Sequence, residues 1–343
     1  MKKDKKLRFA LVGTDTLKGR EIISVLGVKK IPLQEFDFFD EDVEEEYSKL
    51  TQFWGEPKVV HHLERNSLEG MDFVFLAADR ETSREYGRLA GVLGFQAVDL
   101  TEAFNDEEEV PLVVAGVNDA VLRGRKHPLI ANPHPVTVFL SHLFDPLLPV
   151  FGLKNAVAFV LQPASAFDEE GVQELIDQSF AMLSSSSVTK KVFKEQVAFN
   201  LLSRTDKPQK DGFSLKEKQV LAEVRRVLGR PELPLTLSII QAPVFHTYSI
   251  MVHLELEKET DIQGFEAVLE ESPFLCVSRP EGGAPVSPVR VAGKEKIFVG
   301  QVKKDRSLPG SFWTWIVADN LIGSVLNASG IAQSLFGVGP FRG

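Results

Sequence analysis

Short apolar runs and helical periodicities alternate along the first 130 residues. "LRFALVG", "EFDFF", "DFVFLAA", "QAVDL", "PLVVAG" and "PLIAN" read as buried strands, each five to seven residues long. Residues 17 to 26 and the stretch "ETSREYGRLAGVLG" carry apolar positions at helical spacing. Strand–helix alternation of this kind predicts a parallel, doubly wound sheet. Residues 40 to 57 are acidic, aromatic and end near a proline, and read as an exposed excursion.

The texture changes near residue 132. Three helical segments, "VTVFLSHLFDPLLPVFG", "EEGVQELIDQSFAMLS" and "SLKEKQVLAEVRRVLG", precede longer strands such as "LTLSIIQAPVF" and "YSIMVHLELEKE". Bunched long strands predict an α+β domain with a mainly antiparallel or mixed sheet. "SSSS" at 184–187 reads as a polar turn and "RPEGGAPVSP" as a mobile surface loop. The tail "FWTWIVADNLIGSVLNASGIAQSLF" reads as a strand and then a helix whose composition suits packing back on the first domain. The expected division is 1–131 as a nucleotide-binding-type domain completed by a C-terminal helix, 318–343, with 132–317 as the second domain. No internal repeat is visible.

Composition narrows the classes of function. The chain has 343 residues and a net charge of −9, which disfavours nucleic acid and anionic membranes as partners. No run approaches the length of a membrane span, and the apolar part of the basic N-terminus is too short for a signal peptide. A single cysteine, Cys276, excludes an internal disulfide framework and suits a reducing cytoplasm. It sits in the apolar run "SPFLCVSRP" and is expected to be a buried core thiol. His61 and His62 are adjacent, so on a strand they face opposite ways and cannot easily share an ion. No metal site is expected.

Two stretches carry candidate chemistry. "ALVGTDTLKGREII" is a strand, a turn and a helix start, with Gly13 and Gly19 framing the turn and Thr16 within it. The dinucleotide fingerprint needs a further glycine inside, where this chain has Thr14, Asp15, Thr16, Leu17 and Lys18. Asp15 adds negative charge where phosphate would sit, and Lys18 on the first helical turn is expected to point to solvent. A weak nucleotide site and a plain structural turn both remain open. Asp40, in "FDFFDED", lies about twenty residues beyond Gly19, where an acid meets the ribose of NAD and repels the 2′-phosphate of NADP. A solvated acidic loop is the other reading. The second stretch, "IANPHPVTVF", is a strand end running into a helix, with Pro135 at the helix start. Such a turn often mounts a nucleophile, because the helix dipole favours a thiolate there.

Several phrases together resemble one family. "VPLVVAGVN", "IANPHPVT", "VAFNLL", "DGFSLKEKQVLAEVRRVLG", "APVFHTYS" and "WIVADNLIGSVLNAS" are similar, in order and spacing, to aspartate-semialdehyde dehydrogenases. The resemblance implies a Rossmann-type NAD(P)-binding domain completed by the C-terminal helix, and a central domain for catalysis and dimerisation. It also implies reduction of an acyl phosphate to an aldehyde through a cysteine thioester, within amino-acid biosynthesis. Asn320 falls on a cofactor-contacting position.

The functional positions depart from the family pattern. The family turn reads A-N-P-N-C-[ST]-T, and the nucleophile falls on Pro135, which has no nucleophilic atom. Q-x-x-S-G-A-G becomes "QPASAFD", keeping Gln162 and Ser165 but placing Phe167 and Asp168 where they would crowd and repel a ligand. In R-V-P-V-F-R-G-H-S the carboxylate-clamping Arg falls on Gln241 and the acid/base His on Tyr248. A tyrosine with a pKa near 10 is a poor base at neutral pH. The phosphate-binding Arg falls on Asn105 and the substrate-binding Lys on Gln219. The Usg-like subgroup of the family has degenerate sites of this kind, with a similar Gln in "QAPVF". His134, beside the lost nucleophile, is expected to face solvent or cap the helix.

Three classes follow: a non-catalytic homodimer that binds or scaffolds an unidentified protein partner, an enzyme with altered chemistry, and an NAD(P)-dependent semialdehyde dehydrogenase with a rearranged site. The first is preferred, with dinucleotide binding weak or absent.

Overall fold

The structure is a computed structural model and describes residues 7–28, 33–45, 47–124, 126–204, 206–279 and 285–337. The chain forms two compact units, Met1–His134 with Ser324–Gly343, and Pro135–Gly323.

The first unit is built from β1 (Leu7–Val12), α1 (Leu17–Val28), β2 (Leu33–Asp40), β3 (Leu50–Phe53), β4 (Glu56–His62), β5 (Phe73–Leu76), α2 (Arg80–Leu93), β6 (Gln96–Asp99) and β7 (Leu129–Ala131). Its strands form one seven-stranded sheet in the order β3-β4-β2-β1-β5-β6-β7. Every neighbouring pair is parallel except β3 with β4. The order reverses between β1 and β5, and that switch point is where a doubly wound sheet opens a ligand crevice.

Two readings change here. The stretch 40–57 is not a simple excursion: a hairpin of β3 and β4 extends the sheet, and Phe53 is buried with its ring 4.7 Å from Phe36 and 5.3 Å from Phe38. "PLVVAG" is not a strand. It makes one isolated bridge, Leu112 to Ala131, and beyond it the Leu112 and Val113 carbonyls and the Val114 amide are taken by side chains.

The second unit contains α3 (Pro135–Phe151), β8 (Asn155–Gln162), α4 (Asp168–Leu183), α5 (Leu215–Val227), β9 (Leu235–Gln241), β10 (Tyr248–Glu255), α6 (Ile262–Glu270), β11 (Leu275–Ser278), α7 (Pro288–Val291), β12 (Ile297–Lys304) and β13 (Ser311–Ala318). Its six-stranded sheet runs β11-β12-β13-β10-β8-β9 and is mixed, as the long strands predict. One face is core: Ala158, Val160, Ile250, Val252, Leu254 and Ile316 are fully buried. The alternate residues Val157, Phe159, Met251, His253, Trp313 and Trp315 are half-buried or exposed, as period-two geometry requires. α3 is buried nearly all round, which explains its almost unbroken apolar sequence.

The last helix, α8 (Asn320–Phe336), begins in the second unit. From Ser324 on it belongs to the first, where Val325, Ala328, Ile331 and Ala332 join the core of Phe9, Phe73 and Phe75. Cys276 lies in β11 and is half-buried, not a core thiol as expected, because β11 is an edge strand. Part of "RPEGGAPVSP", residues 280–284, lies outside the described residues. No described helix is long and apolar enough to cross a membrane.

Candidate functional site

In the first unit the switch point carries a pocket of about 260 Å³ lined by Val12, Gly13, Asp15, Thr16, Asp40 and Asp79 among others. Gly13 follows β1 with φ +94°, and a Cβ there would strike the backbone of Ala78. A Cβ on Gly19 would strike the Gly13 carbonyl, so this glycine lets α1 pack against the loop. Thr16 fixes the turn: its Oγ1 donates to the Ala77 carbonyl (2.7 Å) and accepts from the Gly19 amide (3.0 Å). The loop's outline is that of a nucleotide-binding turn.

Its chemistry is not. Asp15, Asp40, Glu41, Asp42 and Asp79 all line the pocket, and Asp15 on the glycine loop puts a carboxyl group where a pyrophosphate would need donors. Asp40 closes β2 and is buried, rather than lying in a solvated loop. Its Oδ1 accepts from the Thr14 amide (2.7 Å), and its Oδ2 accepts from the Thr14 hydroxyl and from Lys49 Nζ (2.7 Å). Lys49 also reaches Asp15 (2.5 Å) and Asp42 (3.0 Å). Burial works against its charge, but these three carboxylates outweigh it and hold the ammonium's pKa above its usual value. Among the described residues the one group of carboxylates close enough to share a cation is Asp15, Asp40 and Asp42, and Lys49 already bonds to each. Lys18 does not point to solvent. It folds over and donates to the Leu100 carbonyl past β6, which removes it as a phosphate partner. The residues that line this pocket thus include five acids and no basic side chain.

Also in the first unit, Asn105 is buried and its Nδ2 donates to the Asn132 carbonyl (3.4 Å). Asn327 of α8 donates to the Val113 carbonyl (2.8 Å) and to Asn132 Oδ1 (2.8 Å), and accepts from the Ala115 amide (2.8 Å). His134 is buried, not solvent-facing. His61 and His62 both lie exposed on β4.

The second unit gathers most of the family's catalytic positions. Pro135 opens α3 as its first residue and is buried. The deepest polar group is a neutral chain: Tyr248 Oη donates to Gln162 Oε1 (3.3 Å), and Gln162 Nε2 donates to Gln241 Oε1 (3.1 Å). Gln241 Nε2 ends the chain on the Ala242 carbonyl (3.0 Å). All three side chains are buried. At the positions where the resemblance expects a clamp and a base stand amides and a phenol that hydrogen-bond one another.

On α5, Gln219 is half-buried; its Nε2 donates to Glu223 Oε1 (2.7 Å) and its Oε1 accepts from Lys216 (3.0 Å). The other oxygen of Glu223 accepts from the Thr137 hydroxyl on α3 (2.7 Å), so a buried carboxylate stands one turn from Pro135. Asn320 Oδ1 accepts from Ser165 Oγ (3.2 Å) and from the Thr247 amide (3.1 Å), acting as a strut between "QPASAFD" and the turn before β10. Phe167 turns into a cluster with Phe193 (5.2 Å between rings), while Asp168 is exposed at the start of α4.

Thr247 is not singled out by the sequence, and Asp168 is singled out only for its side chain; both share a backbone feature. Thr247 and Asp168 fall on glycines of the two family motifs, yet keep glycine-like backbones, with φ +74° and φ +53°. Only the motif alignment could have pointed to them. Lys49 and the Thr137–Glu223 pair had no local signal at all.

Family models described as "Semialdehyde dehydrogenase, NAD binding domain" and "Semialdehyde dehydrogenase, dimerisation domain" match residues 8–125 and 144–323. The chain is 28% identical to the aspartate-semialdehyde dehydrogenase of Aquifex aeolicus, over 96% of this chain and 97% of that one. It is 26% identical to that of Bacillus subtilis, with coverage of 96% and 97%. Among solved structures, aspartate semialdehyde dehydrogenase II from Vibrio cholerae superposes with a TM-score of 0.89 at 25% identity, covering 96% of this chain and 98% of that one. A probable aspartate-semialdehyde dehydrogenase from Pseudomonas aeruginosa gives 0.88 at 27% identity, with coverage of 96% and 98%.

Proposed function

The chain belongs to the semialdehyde dehydrogenase family, and on that premise we propose that it is a member without the family's catalysis, a homodimer that binds or scaffolds another molecule. One observation carries this reading: Pro135 occupies the first turn of α3, where the resemblance places the nucleophile. Removing a nucleophile alone costs several orders of magnitude in rate. Around it, the Gln162–Gln241–Tyr248 chain offers neither a cation for a carboxylate nor a base of suitable pKa. Gln219 leaves the buried Glu223 without a lysine at that position, which disfavours an anionic substrate further. NAD(P) binding is weak or absent, and any residual binding favours NAD over NADP, because carboxyl groups line the pocket. A cytoplasmic setting fits the single cysteine.

The test is phosphate-dependent oxidation of aspartate semialdehyde by a clean preparation, with either dinucleotide. Activity at background supports the proposal. Turnover within about a thousandfold of an ordinary enzyme's median of roughly 10 s⁻¹ overturns it.

A second reading, a semialdehyde dehydrogenase with a rearranged site, draws on the relatives. Proteins matched over nearly their whole length carry the name aspartate-semialdehyde dehydrogenase. The same assay separates the two.

A further inference from the structure

Asp40 lines the pocket of the first unit with its carboxylate already engaged, and we propose that Lys49 is the residue that withholds it: the Lys49 ammonium holds the carboxylate that would meet a ribose and so sets which nucleotides the pocket rejects. The proposal rests on the reading above that dinucleotide binding is weak, and gives that weakness a cause in one side chain.

The pocket lies where a doubly wound sheet presents ligands, beyond the carboxyl ends of β1 and β5, with Asp40 at the end of β2. An acid there serves a ribose by accepting from its vicinal hydroxyls. An ionised carboxylate has about four acceptor sites. Three of those of Asp40 are spent on the Thr14 amide, the Thr14 hydroxyl and Lys49. The two Thr14 bonds tie the glycine loop to the end of β2 and orient the carboxylate. The Lys49 bond is the one a diol has to displace, and it is charge-assisted, hence stronger than a neutral hydroxyl's.

Lys49 is also well held. Its ammonium bridges Asp15 on the glycine loop, Asp40 on β2 and Asp42 beyond it. Its carbonyl accepts from the Val60 amide (3.0 Å), tying its backbone to β4. The hairpin that follows is anchored by Phe53 against Phe36 and Phe38. A free lysine loses entropy on entering such a site, and this one is already positioned by its backbone bond just before β3.

Charge then sets the ligand class. With Lys49 removed, Asp40 is free for a diol, while Asp15 and Asp42 still repel phosphate. The opened pocket takes a ribonucleoside diol carrying little negative charge. Adenosine and NAD gain, and NADP, with its additional 2′-phosphate, does not.

The experiment is a calorimetric titration of the full chain and its Lys49→Met and Lys49→Arg variants with adenosine, NAD and NADP, after a thermal melt of each. Lys49→Met is expected to raise affinity for adenosine and NAD by about tenfold or more, the worth of one charge-assisted bond, with no gain for NADP. Lys49→Arg is expected to stay closed. Equal affinities in the parent and Lys49→Met overturn the proposal. A parent that binds NADP better than NAD, with loss in Lys49→Met, makes Lys49 a phosphate ligand and overturns it too. Submicromolar NAD or NADP binding by the parent defeats the weak-binding reading, whatever the variants' ratio shows. If Lys49→Met does not fold, the parent alone decides through acylation of Lys49 by an amine reagent, followed by peptide mass. Low reactivity that rises with millimolar adenosine supports displacement of the ammonium, and reactivity unaffected by adenosine refutes it.

Discussion

At Thr247 the backbone takes φ +74°, a conformation that a β-branched residue adopts only under constraint. The constraint is visible: the Thr247 amide is held by Asn320 Oδ1, and β10 begins at the next residue. Its buried hydroxyl finds no partner among the described residues, a second cost at one position. Thr247→Gly therefore relieves both, and we expect a gain of about 1 kcal/mol by chemical denaturation, after the entropy that glycine adds to the unfolded chain. A loss of stability would show that the threonine is not strained. Asp168→Gly acts in the same sense at φ +53°, but gains less, because the carboxylate at the start of α4 favours that helix N-terminus. A different single residue sets the response to acid. His142 is buried on α3 with its ring 4.2 Å from Phe274, and burial lowers its pKa from 6.5 to about 4. The unfolded chain takes up that proton below pH 6.5 while the folded chain stays neutral until about pH 4. Stability contributed by the neutral ring is thus fully present above pH 6.5 and falls as the pH drops toward 4, by up to about 1.4 kcal/mol per pH unit. His142→Phe keeps the stacking and should flatten this part of the stability profile, measured by denaturant melts across that window.

At the scale of elements, α3 shows what the sequence made legible and what it did not. Its start at Pro135 was readable because proline suits the first helical turn and Asn132-Pro133 marks the preceding turn. The partners of that turn were not: Thr137 and Glu223 meet across 86 positions, and no local pattern encodes such a pair. The β3–β4 hairpin was missed for a related reason. Its two-residue loop is Trp54-Gly55, with φ +54° and +77°, and a tryptophan at the first of these positions gives none of the Asn or Asp signal that marks such turns. "PLVVAG" misled in the opposite way, since its apolar run is buried as a loop whose backbone is satisfied by Asn118 and Asn327. The Gln162, Gln241 and Tyr248 positions came from motif order alone, and the structure brings them into hydrogen-bonded contact. That contact predicts the behaviour of the α3 start. Pro135→Cys puts a thiol at a helix N-terminus, where thiolate is favoured. Even so, the variant should stay at background in a phosphate-dependent assay. On the proposed reading no clamp stands at Gln241 and no base at Tyr248, whose side chains are buried and bonded through Gln162. Acid–base and charge-stabilising groups are each commonly worth about two to four orders of magnitude. Adding Gln241→Arg and Tyr248→His tests whether the scaffold still supports the chemistry. Robust turnover in the single variant would place the lost functions elsewhere in the molecule.

For the whole molecule, we expect the second unit's sheet to set the state of assembly. Its inner face is closed by its own helices, but its outer face carries a cross-strand row of Phe159, Met251 and Trp315, paired in register on β8, β10 and β13. Phe159 is 44% exposed at one end of that row, and an apolar sheet face of this kind is a cost that a second copy can remove. Two such faces related by a two-fold axis form a self-complementary contact of the commonest oligomer type, and a stable one buries about 1,200–2,000 Å². We therefore expect a dimer by light scattering at micromolar concentration, with a melting temperature that rises with protein concentration. Phe159→Glu would place two unpaired carboxylates close to the axis and should weaken the dimer by at least about tenfold, since a desolvated charge without a partner costs more than the lost ring alone. Val28→Glu, on the first unit and 75% exposed, is the control and should leave assembly unchanged. A monomeric parent would refute the dimer, and a Phe159→Glu variant that remains fully dimeric would move the contact off this face. A Phe159→Glu protein that is monomeric, folded and unable to bind whatever the parent binds would further show that assembly, rather than chemistry, is what the retained framework supplies.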